Sequence, residues 1–323
     1  MRKISANFIL IITILTIIVL LINWVFFKKK EKNELTFVMV PKGVHPYYEP
    51  CYEGFKAAAA KYGVRVDMVS PPKFELALQI KVIEDLIAQK VDGIAISAVD
   101  DTGLIDVINK AVDEGIKVIT FDAPAFSTKA LTYIGTVNKQ AGYEAGLKMA
   151  ELMNKSGEVA ILQGGLGATN LNERTQGFKE AFEKVSPNIK LVAVEDNRGD
   201  YAIAVKKTES LLEIYPKLKA IFGVSAYGAP AAATVIKEQK KAGKFLIGGF
   251  DDLKDTLEGI KDGSVQFCIV QKTYKMGWLS VEKLLDAVNE KSLPKIIDTG
   301  VLIVDKKNVN TYMSEMIKEL DRE

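Results

Sequence analysis

From about residue 35 onward, short runs of β-branched and aromatic residues alternate with amphipathic segments of helical period. The stretch Gly115–Pro124 illustrates the pattern, because a glycine suited to ending a helix precedes the apolar run Val118–Phe121, and Pro124 prevents that strand from continuing. Strands that alternate with helices are typical of parallel sheets covered by helices on both faces. The sequence therefore predicts an α/β fold of doubly wound parallel sheets.

The alternation falls into two series of similar length, which predicts two lobes joined by a hinge of several segments. The expected crossings between the lobes lie near Gly135–Asn138, Val270–Lys272 and Asp298–Val301. The expected domains are 1–34 as a signal anchor and linker, 35–137 plus 271–298 as an N-terminal lobe, and 138–270 plus 299–323 as a C-terminal lobe. A hinge of this kind lets two lobes close on a ligand.

The amino terminus carries the strongest compositional signal. Phe8–Phe27 is an almost uninterrupted apolar run, long enough to cross a bilayer as one helix, and Lys28–Lys30 follows it. A small-residue cleavage motif and a cysteine for lipid attachment are both missing near its end. The lysines favour the cytoplasmic side, but a large downstream domain can be translocated against this bias. We therefore expect a single-pass helix in the lipid bilayer of the cell membrane, with the following domain outside the cytoplasm.

Composition excludes several classes of function. The formal net charge of +2 argues against a basic nucleic-acid-binding surface. The one histidine, His45, and the two cysteines, Cys51 and Cys268, do not have zinc-ligand spacing, although a disulfide between the cysteines stays open. The glycine-rich phosphate loops and the serine-hydrolase elbow are missing as well. The sequence predicts no enzyme and no cofactor.

Polar and aromatic side chains collect where the predicted strands end. Asp122 follows one strand, and Asp251 follows the strand Phe245–Phe250. Open parallel sheets hold their ligands at the carboxyl ends of their strands, so we expect these two carboxylates to line a cleft. The other candidate ligand-binding residues in such loops are His45, Tyr47, Tyr48, Asn172, Arg174, Asp200, Ser225 and Gln271.

This set of side chains suits a sugar. Carboxylates and an arginine form charge-assisted hydrogen bonds with hydroxyl groups, and flat aromatic rings pack on the C–H faces of a sugar ring. Taken singly, each residue also has a structural explanation, such as capping a helix or packing in the core. The alternative is that Asp122 and Asp251 are the catalytic pair of a glycosidase, since the sequence does not fix the distance between them.

Five segments, spread over nearly all of the chain after residue 35, carry a family resemblance. They are Val44–Tyr48, Val118–Asp122, Asn172–Arg174 with Gly177–Phe178, Gly248–Asp252, and Ile269–Gln271. In order and spacing they resemble the type I periplasmic binding proteins of the ribose and galactose group, whose fold is also the effector core of lactose-repressor-type regulators. The resemblance implies two lobes that close on a sugar.

The resemblance also implies roles for single residues. Tyr47 and Tyr48 correspond to the aromatic residues that stack on the sugar, and Asp122 corresponds to the aspartate that binds its hydroxyls from the first lobe. The ligands implied for the second lobe and the hinge are Arg174, Asp251 and Gln271.

Three positions depart from the family pattern. Ribose binders carry an arginine where this chain has Ala123, an asparagine where it has His45, and another asparagine where it has Ser225. These departures favour another pentose or hexose, such as xylose or glucose, as the monosaccharide.

The apolar amino terminus selects among the members of such a family. Importer binding proteins are usually released or lipid-tethered, whereas a protein held by its own helix resembles the sugar sensors that signal to a membrane histidine kinase. We therefore predict a membrane-anchored monosaccharide sensor. The alternative is the substrate-binding component of an ABC importer, whose partner would be an ABC permease. A transcription regulator is excluded, because an apolar run lies where a helix-turn-helix would have to be.

Overall fold

The structure is a computed structural model that describes residue 16 and the ranges 34–241 and 245–320. Apart from Thr16, the predicted membrane helix Phe8–Phe27 lies outside these residues. A search of the described part of the chain finds no helix with the length and apolar character needed to span a bilayer. The chain divides into two compact units, Met1–Leu35 and Thr36–Glu323, and the second contains both sheets.

The strands follow the predicted alternation closely. They are β1 (Thr36–Val40), β2 (Arg65–Met68), β3 (Gly93–Ile96), β4 (Lys117–Phe121), β5 (Tyr133–Gly135), β6 (Gly157–Gln163), β7 (Ile189–Asp196), β8 (Leu218–Gly223), β9 (Leu246–Phe250), β10 (Phe267–Gln271), β11 (Ile296–Asp298) and β12 (Val301–Asp305). One sheet has the order β11-β5-β4-β3-β1-β2, and the other has the order β12-β10-β9-β8-β6-β7. The first sheet with its helices is called the first lobe below, and the second sheet with its helices the second lobe.

Helices cover both faces of each sheet. They are α1 (Glu49–Tyr62), α2 (Leu76–Gln89), α3 (Ile105–Asp113), α4 (Asn138–Leu152), α5 (Thr169–Val185), α6 (Tyr201–Ile214), α7 (Gly228–Glu238), α8 (Lys254–Asp262), α9 (Thr273–Val288) and α10 (Val309–Leu320), and a short 3-10 turn precedes α1 at Pro46–Tyr48. Several helices end in a left-handed residue, including Gly63 after α1 and Gly263 after α8. Strands buried on both faces, such as Gly93–Ile96, explain the continuous apolar runs of the sequence.

The sheets are parallel, as the sequence predicts, except for one edge strand. Every pairing in the first sheet is parallel, but β12 pairs antiparallel with β10 at the edge of the second sheet. Residues 296–305 form two strands, because the chain leaves the first sheet after Asp298 and turns at Gly300, where φ is +77°, before it enters the second.

The two cysteines lie inside the folded unit. Cys51 and Cys268 are both free and buried, so the disulfide that the sequence left open is not formed. Each behaves as a small apolar residue in the core of its lobe.

Helices α4 and α5 of the second lobe touch through their backbones. A Cβ atom on Gly142 would overlap the carbonyl oxygen of Arg174, and one on Gly177 would overlap that of Lys139. This close approach holds the first half of α5, which carries Arg174, against α4.

The two candidate aspartates occupy equivalent positions in the two lobes. Asp122 follows β4 with a φ of +58°, and Asp251 follows β9 with a φ of +68°. Aspartate tolerates this left-handed conformation better than most residues. In each lobe the turn directs a carboxylate away from the strand end, as the sequence predicts.

Candidate ligand-binding site

A cavity lies between the carboxyl ends of the two sheets, with an empty volume of about 430 Å³ when its open mouth is counted. Both lobes contribute to its lining. Eight of the ten candidate residues line it, namely His45, Tyr47, Tyr48, Asp122, Arg174, Ser225, Asp251 and Gln271. The residues in the lining that were not candidates include Lys42, Phe74, Asn170 and Tyr227.

Asp122 is the centre of the polar network in the first lobe. The Tyr47 hydroxyl donates to its Oδ1 at 2.9 Å, and the hydroxyls of Tyr48 and Ser97 donate to its Oδ2 at 3.2 and 2.6 Å. Burial, followed by the charge of Asp122, raises the pKa of both tyrosines well above the usual value, so both remain donors. The two phenols therefore orient the carboxylate, in addition to presenting their rings to the cavity.

Arg174 is the corresponding centre in the second lobe. It is fully buried, and its guanidinium donates to Asn138 Oδ1 at 2.9 Å, to the Val224 carbonyl oxygen at 3.1 Å and to Gln271 Oε1 at 2.7 Å. The ring of Phe250 lies beneath the guanidinium, 4.0 Å from centroid to Cζ. Three acceptors and one ring fix the orientation of the arginine, and two of its five N–H groups remain for a ligand.

Gln271 links this arginine to the hinge. Its Oε1 also accepts a hydrogen bond of 2.8 Å from Thr136, in the segment between β5 and α4, and its Nε2 donates to Asp251 Oδ1 at 2.9 Å. The Gln271 side chain thus connects two of the three expected crossing segments to a cavity carboxylate.

Asp251 has an unusual protonation state. Burial raises its pKa to about 7, against the lowering effects of Arg174 and of the Gln271 hydrogen bond, and the charges of Asp252 and Asp122 raise it further. The carboxyl group is therefore close to half protonated at neutral pH, and a donor from a ligand would favour its charged form.

Lys42 brings a cation that sequence reasoning missed. It follows β1, is 5% exposed, and its Nζ donates to Asn170 Oδ1 of the second lobe at 3.1 Å and lies 4.0 Å from Asp122 Oδ2. Burial lowers its pKa to about 8, although Asp122 acts in the opposite direction. A lysine in a strand-end loop gave no sequence signal, because such residues are mostly exposed.

Aromatic rings form another part of the lining. The His45 ring lies 4.2 Å from that of Tyr227 and 6.0 Å from that of Phe74, measured between centroids. Burial lowers the pKa of His45 to about 4, and its Nδ1 accepts the Tyr47 backbone N–H at 3.1 Å, so the ring is neutral. His45 and Phe74 belong to the first lobe and Tyr227 to the second, so these rings meet across the cleft.

Ser225 offers a polar group without a partner. Its hydroxyl is buried, lines the cavity and makes no hydrogen bond in the described structure. A buried hydroxyl in this state costs free energy unless a ligand or water completes its bonding.

Two candidate residues are not brought to the cavity. Asn172 binds the Gln163 amide at 2.6 Å on another side of α5, because it is two residues from both Asn170 and Arg174, which share one face of the helix. Asp200 caps α6 and accepts the Ile203 N–H at 2.9 Å. Neither residue is part of the lining.

The arrangement is suited to binding hydroxyl groups. Lys42, Asn170, Arg174 and Ser225 supply donors, and Asp122 and Asp251 supply acceptors, within a lining that also contains aromatic rings. A sugar presents the same mixture of donors, acceptors and C–H faces.

Comparisons with known proteins agree with this geometry. A family model described as a periplasmic binding protein domain matches residues 36–292. The chain is 27% identical over 264 residues to the ribose import binding protein of Bacillus subtilis, which covers 81% of this chain and 84% of that protein.

Solved structures show the same similarity. An ABC transporter solute binding protein from Burkholderia graminis, in complex with D-arabinose, is 40% identical with a TM-score of 0.84, over 88% of this chain and 99% of that one. A chain of the XylFII–LytSN complex is 29% identical with a TM-score of 0.80, over 85% and 98%. The chain belongs to the periplasmic binding protein family, as a type I sugar-binding member.

Proposed function

We propose that this protein binds a monosaccharide, a pentose or a hexose, outside the cytoplasm, and that closure of its lobes reports the sugar to a membrane histidine kinase in two-component signalling. The ligand contacts in this proposal are His45, Tyr47, Tyr48, Asp122, Arg174, Ser225, Asp251 and Gln271, to which we add Lys42 and Asn170. It is a binding function, in keeping with the relatives, which are sugar-binding proteins.

The observation that carries the proposal is the pair of carboxylates on opposite walls of one cavity. Asp122 is presented by the first lobe and Asp251 by the second, each on a left-handed turn and each about 95% or more buried, with exposures of 3% and 4%. A sugar that bonds to both can do so only when the lobes are closed, so it binds the closed form better than the open form.

Closure is the output of such a protein. We assign residues 35–137 and 271–298 to one moving lobe and residues 138–270 and 299–323 to the other. To change the ratio of open to closed protein from about 10:1 to about 1:10, a sugar must bind the closed form roughly a hundredfold more tightly than the open form. About three charge-assisted hydrogen bonds of the kind that Asp122, Asp251 and Arg174 can form are enough for that preference.

Two features support the sensor role over transport. The apolar run Phe8–Phe27 followed by Lys28–Lys30 is typical of a retained single-pass anchor in the cell membrane. The XylFII–LytSN complex is a precedent for a second protein bound to this fold. The alternative, a subunit that delivers sugar to an ABC permease, is supported by the similarity to a ribose import binding protein and to an ABC transporter solute binding protein.

Calorimetry tests the binding function. The full-length protein in detergent would be titrated with a panel of pentoses and hexoses, and we expect saturable binding of at least one of them. If no sugar binds a protein that unfolds cooperatively, the cavity has another ligand.

A second experiment separates the two roles. Sugar affinity would be measured with and without the extracytoplasmic part of a candidate kinase. If the protein is a sensor, the kinase must increase the affinity for sugar, and the sugar must increase the affinity for the kinase by the same factor. A kinase domain that binds the sugar-free and sugar-loaded forms equally would refute the sensor role. Amino-terminal sequencing of the membrane-extracted protein tests the anchor, and a mature chain that starts near residue 30 would refute it.

A further inference from the structure

Phe74 occupies a place in the cavity wall that requires a glycine on either side. It lies in the segment before α2, and its ring Cδ1 is 2.6 Å from the position that a Cβ atom on Gly43 would take. On its other edge, Cδ2 is 2.8 Å from the corresponding position on Gly199. Real Cβ atoms do not approach other atoms this closely, so the ring fits only because both neighbours lack side chains.

The two glycines belong to different lobes. Gly43 follows β1 in the first lobe, whereas Gly199 lies between β7 and α6 in the second and has a φ of +68°, which disfavours other residues. Phe74 is therefore a first-lobe ring that closes the wall against the second lobe, at a point where the second lobe itself offers no side chain.

The surroundings of Phe74 are aromatic. His45, which is uncharged, and Tyr227 continue the wall from its ring. The charged side chains of the cavity form a separate network, in which Lys42 neighbours Asp122 and Arg174 is joined to Asp251 through Gln271. A sugar whose ring hydroxyls bond to that network would turn the part with the fewest hydroxyls towards Phe74.

We infer that Phe74 is a specificity-determining residue that makes the cavity select pentopyranoses over hexopyranoses. A pentopyranose has a bare methylene at C5, which packs on an aromatic wall without loss of hydrogen bonds. A hexopyranose carries a hydroxymethyl group there, and placing it against Phe74 crowds the wall. This inference rests on the proposed sugar-binding function and narrows its substrate class.

Sugars that differ only in this group test the inference directly. D-xylose and D-glucose form one such pair, and L-arabinose and D-galactose form another. For the full-length protein we expect the pentose of at least one pair to bind about 10- to 200-fold more tightly than its hexose, the range over which one added group in a pocket discriminates. Phe74→Ala should bring that ratio towards one by improving hexose affinity.

Two further variants provide controls. Val44→Ala shortens an exposed side chain next to Gly43 that is outside the lining, and it should leave the ratio unchanged. Phe74→Leu keeps an apolar side chain in the wall and should give an intermediate ratio, and it replaces the alanine variant if that protein does not unfold cooperatively.

The outcomes separate the two proposals. Hexoses that bind the unaltered protein as tightly as their matched pentoses would overturn the role of Phe74 while leaving the sugar-binding function intact. An unchanged ratio in both Phe74 variants would do the same. Failure of every sugar to bind the unaltered protein would remove the proposed function, and the selectivity with it.

Discussion

The Lys42 ammonium group of the first lobe donates a hydrogen bond to the Asn170 side-chain oxygen of the second lobe at 3.1 Å. Both residues are almost fully buried, so the bond crosses the cavity rather than its solvated rim. The Lys42 Nζ also lies 4.0 Å from Asp122 Oδ2 of its own lobe, so the same cation interacts with both walls of the cavity.

Replacing Lys42 by methionine should weaken sugar binding about 10- to 150-fold, because a charged hydrogen bond that links the two walls of the cavity is worth roughly 1.5–3 kcal/mol. Calorimetry of Lys42→Met against the sugar that the unaltered protein binds best is the measurement. Lys73→Met is the matched control, since Lys73 is an exposed lysine near the cavity but outside its lining. Equal affinities for the two variants would show that the Lys42 contact has no part in closure.

Asp122 should respond differently to alanine and to asparagine. Both changes remove the carboxylate and should cost about 2–4 kcal/mol of sugar binding, but alanine also has to adopt a φ of +58°, which costs a residue other than glycine, asparagine or aspartate roughly 1–2 kcal/mol. Thermal unfolding should therefore show Asp122→Ala to be less stable than Asp122→Asn. Asp251, with a φ of +68°, should follow the same order, and full sugar affinity in either asparagine variant would contradict the assignment of that carboxylate.

Sugar affinity should depend on pH through Asp251. Its pKa of about 7 in the sugar-free protein falls when a hydroxyl donates to the carboxylate, so binding releases a proton and affinity rises with pH up to neutrality, then levels off. Without sugar, the raised pKa stabilises the folded state at low pH, and this contribution is lost as pH rises from about 4 to about 7.

The control for this pH dependence is Asp251→Asn, whose affinity should be flat over the same range. His45, with a pKa of about 4, is neutral throughout, and Lys42, with a pKa of about 8, stays mostly charged below neutrality. Calorimetry in two buffers of different ionisation enthalpy counts the released protons. A pH profile that persists in Asp251→Asn would assign the titration to another group.

Lys90→Gly should stabilise the protein. Lys90 ends α2 with a φ of +56°, it is exposed, and glycine takes this conformation without strain, so we expect a gain of about 0.5–1 kcal/mol. Lys81→Gly, an exposed change inside the same helix, should cost about 1 kcal/mol and is the matched control. Chemical denaturation of both variants is the measurement, and two changes of the same sign would contradict the role of the left-handed end.

The sequence was most informative where local chemistry determines the structure. Asp122 and Asp251 were recognisable because each ends an apolar strand, and the ends of parallel strands converge in one place. Asn172 was a candidate that does not reach the lining of the cavity. A helix turns about 100° per residue, so only residues three or four apart share a face. Asp200 shows a second limit, because an aspartate between a strand and a helix can equally be the cap of that helix.

Long-range contacts account for what the sequence did not indicate. Phe74 reaches the cavity because glycines distant in sequence leave room for its ring, and Lys42 is buried because Asn170, on the other lobe, accepts its hydrogen bond. Neither partner is close in the chain, so no local pattern marks either residue.

Neither lobe is continuous along the chain, and this affects how the protein is made. Helix α9, which packs on α1, β3 and β4, and strand β11, at the edge of the first sheet, both come after the last strand but one of the second sheet. During translation the first sheet therefore lacks helix α9 on one face and strand β11 at its edge until residues 273–298 have left the ribosome. A nascent chain interrupted before that point exposes an apolar sheet face, which makes it a substrate for chaperones or proteases.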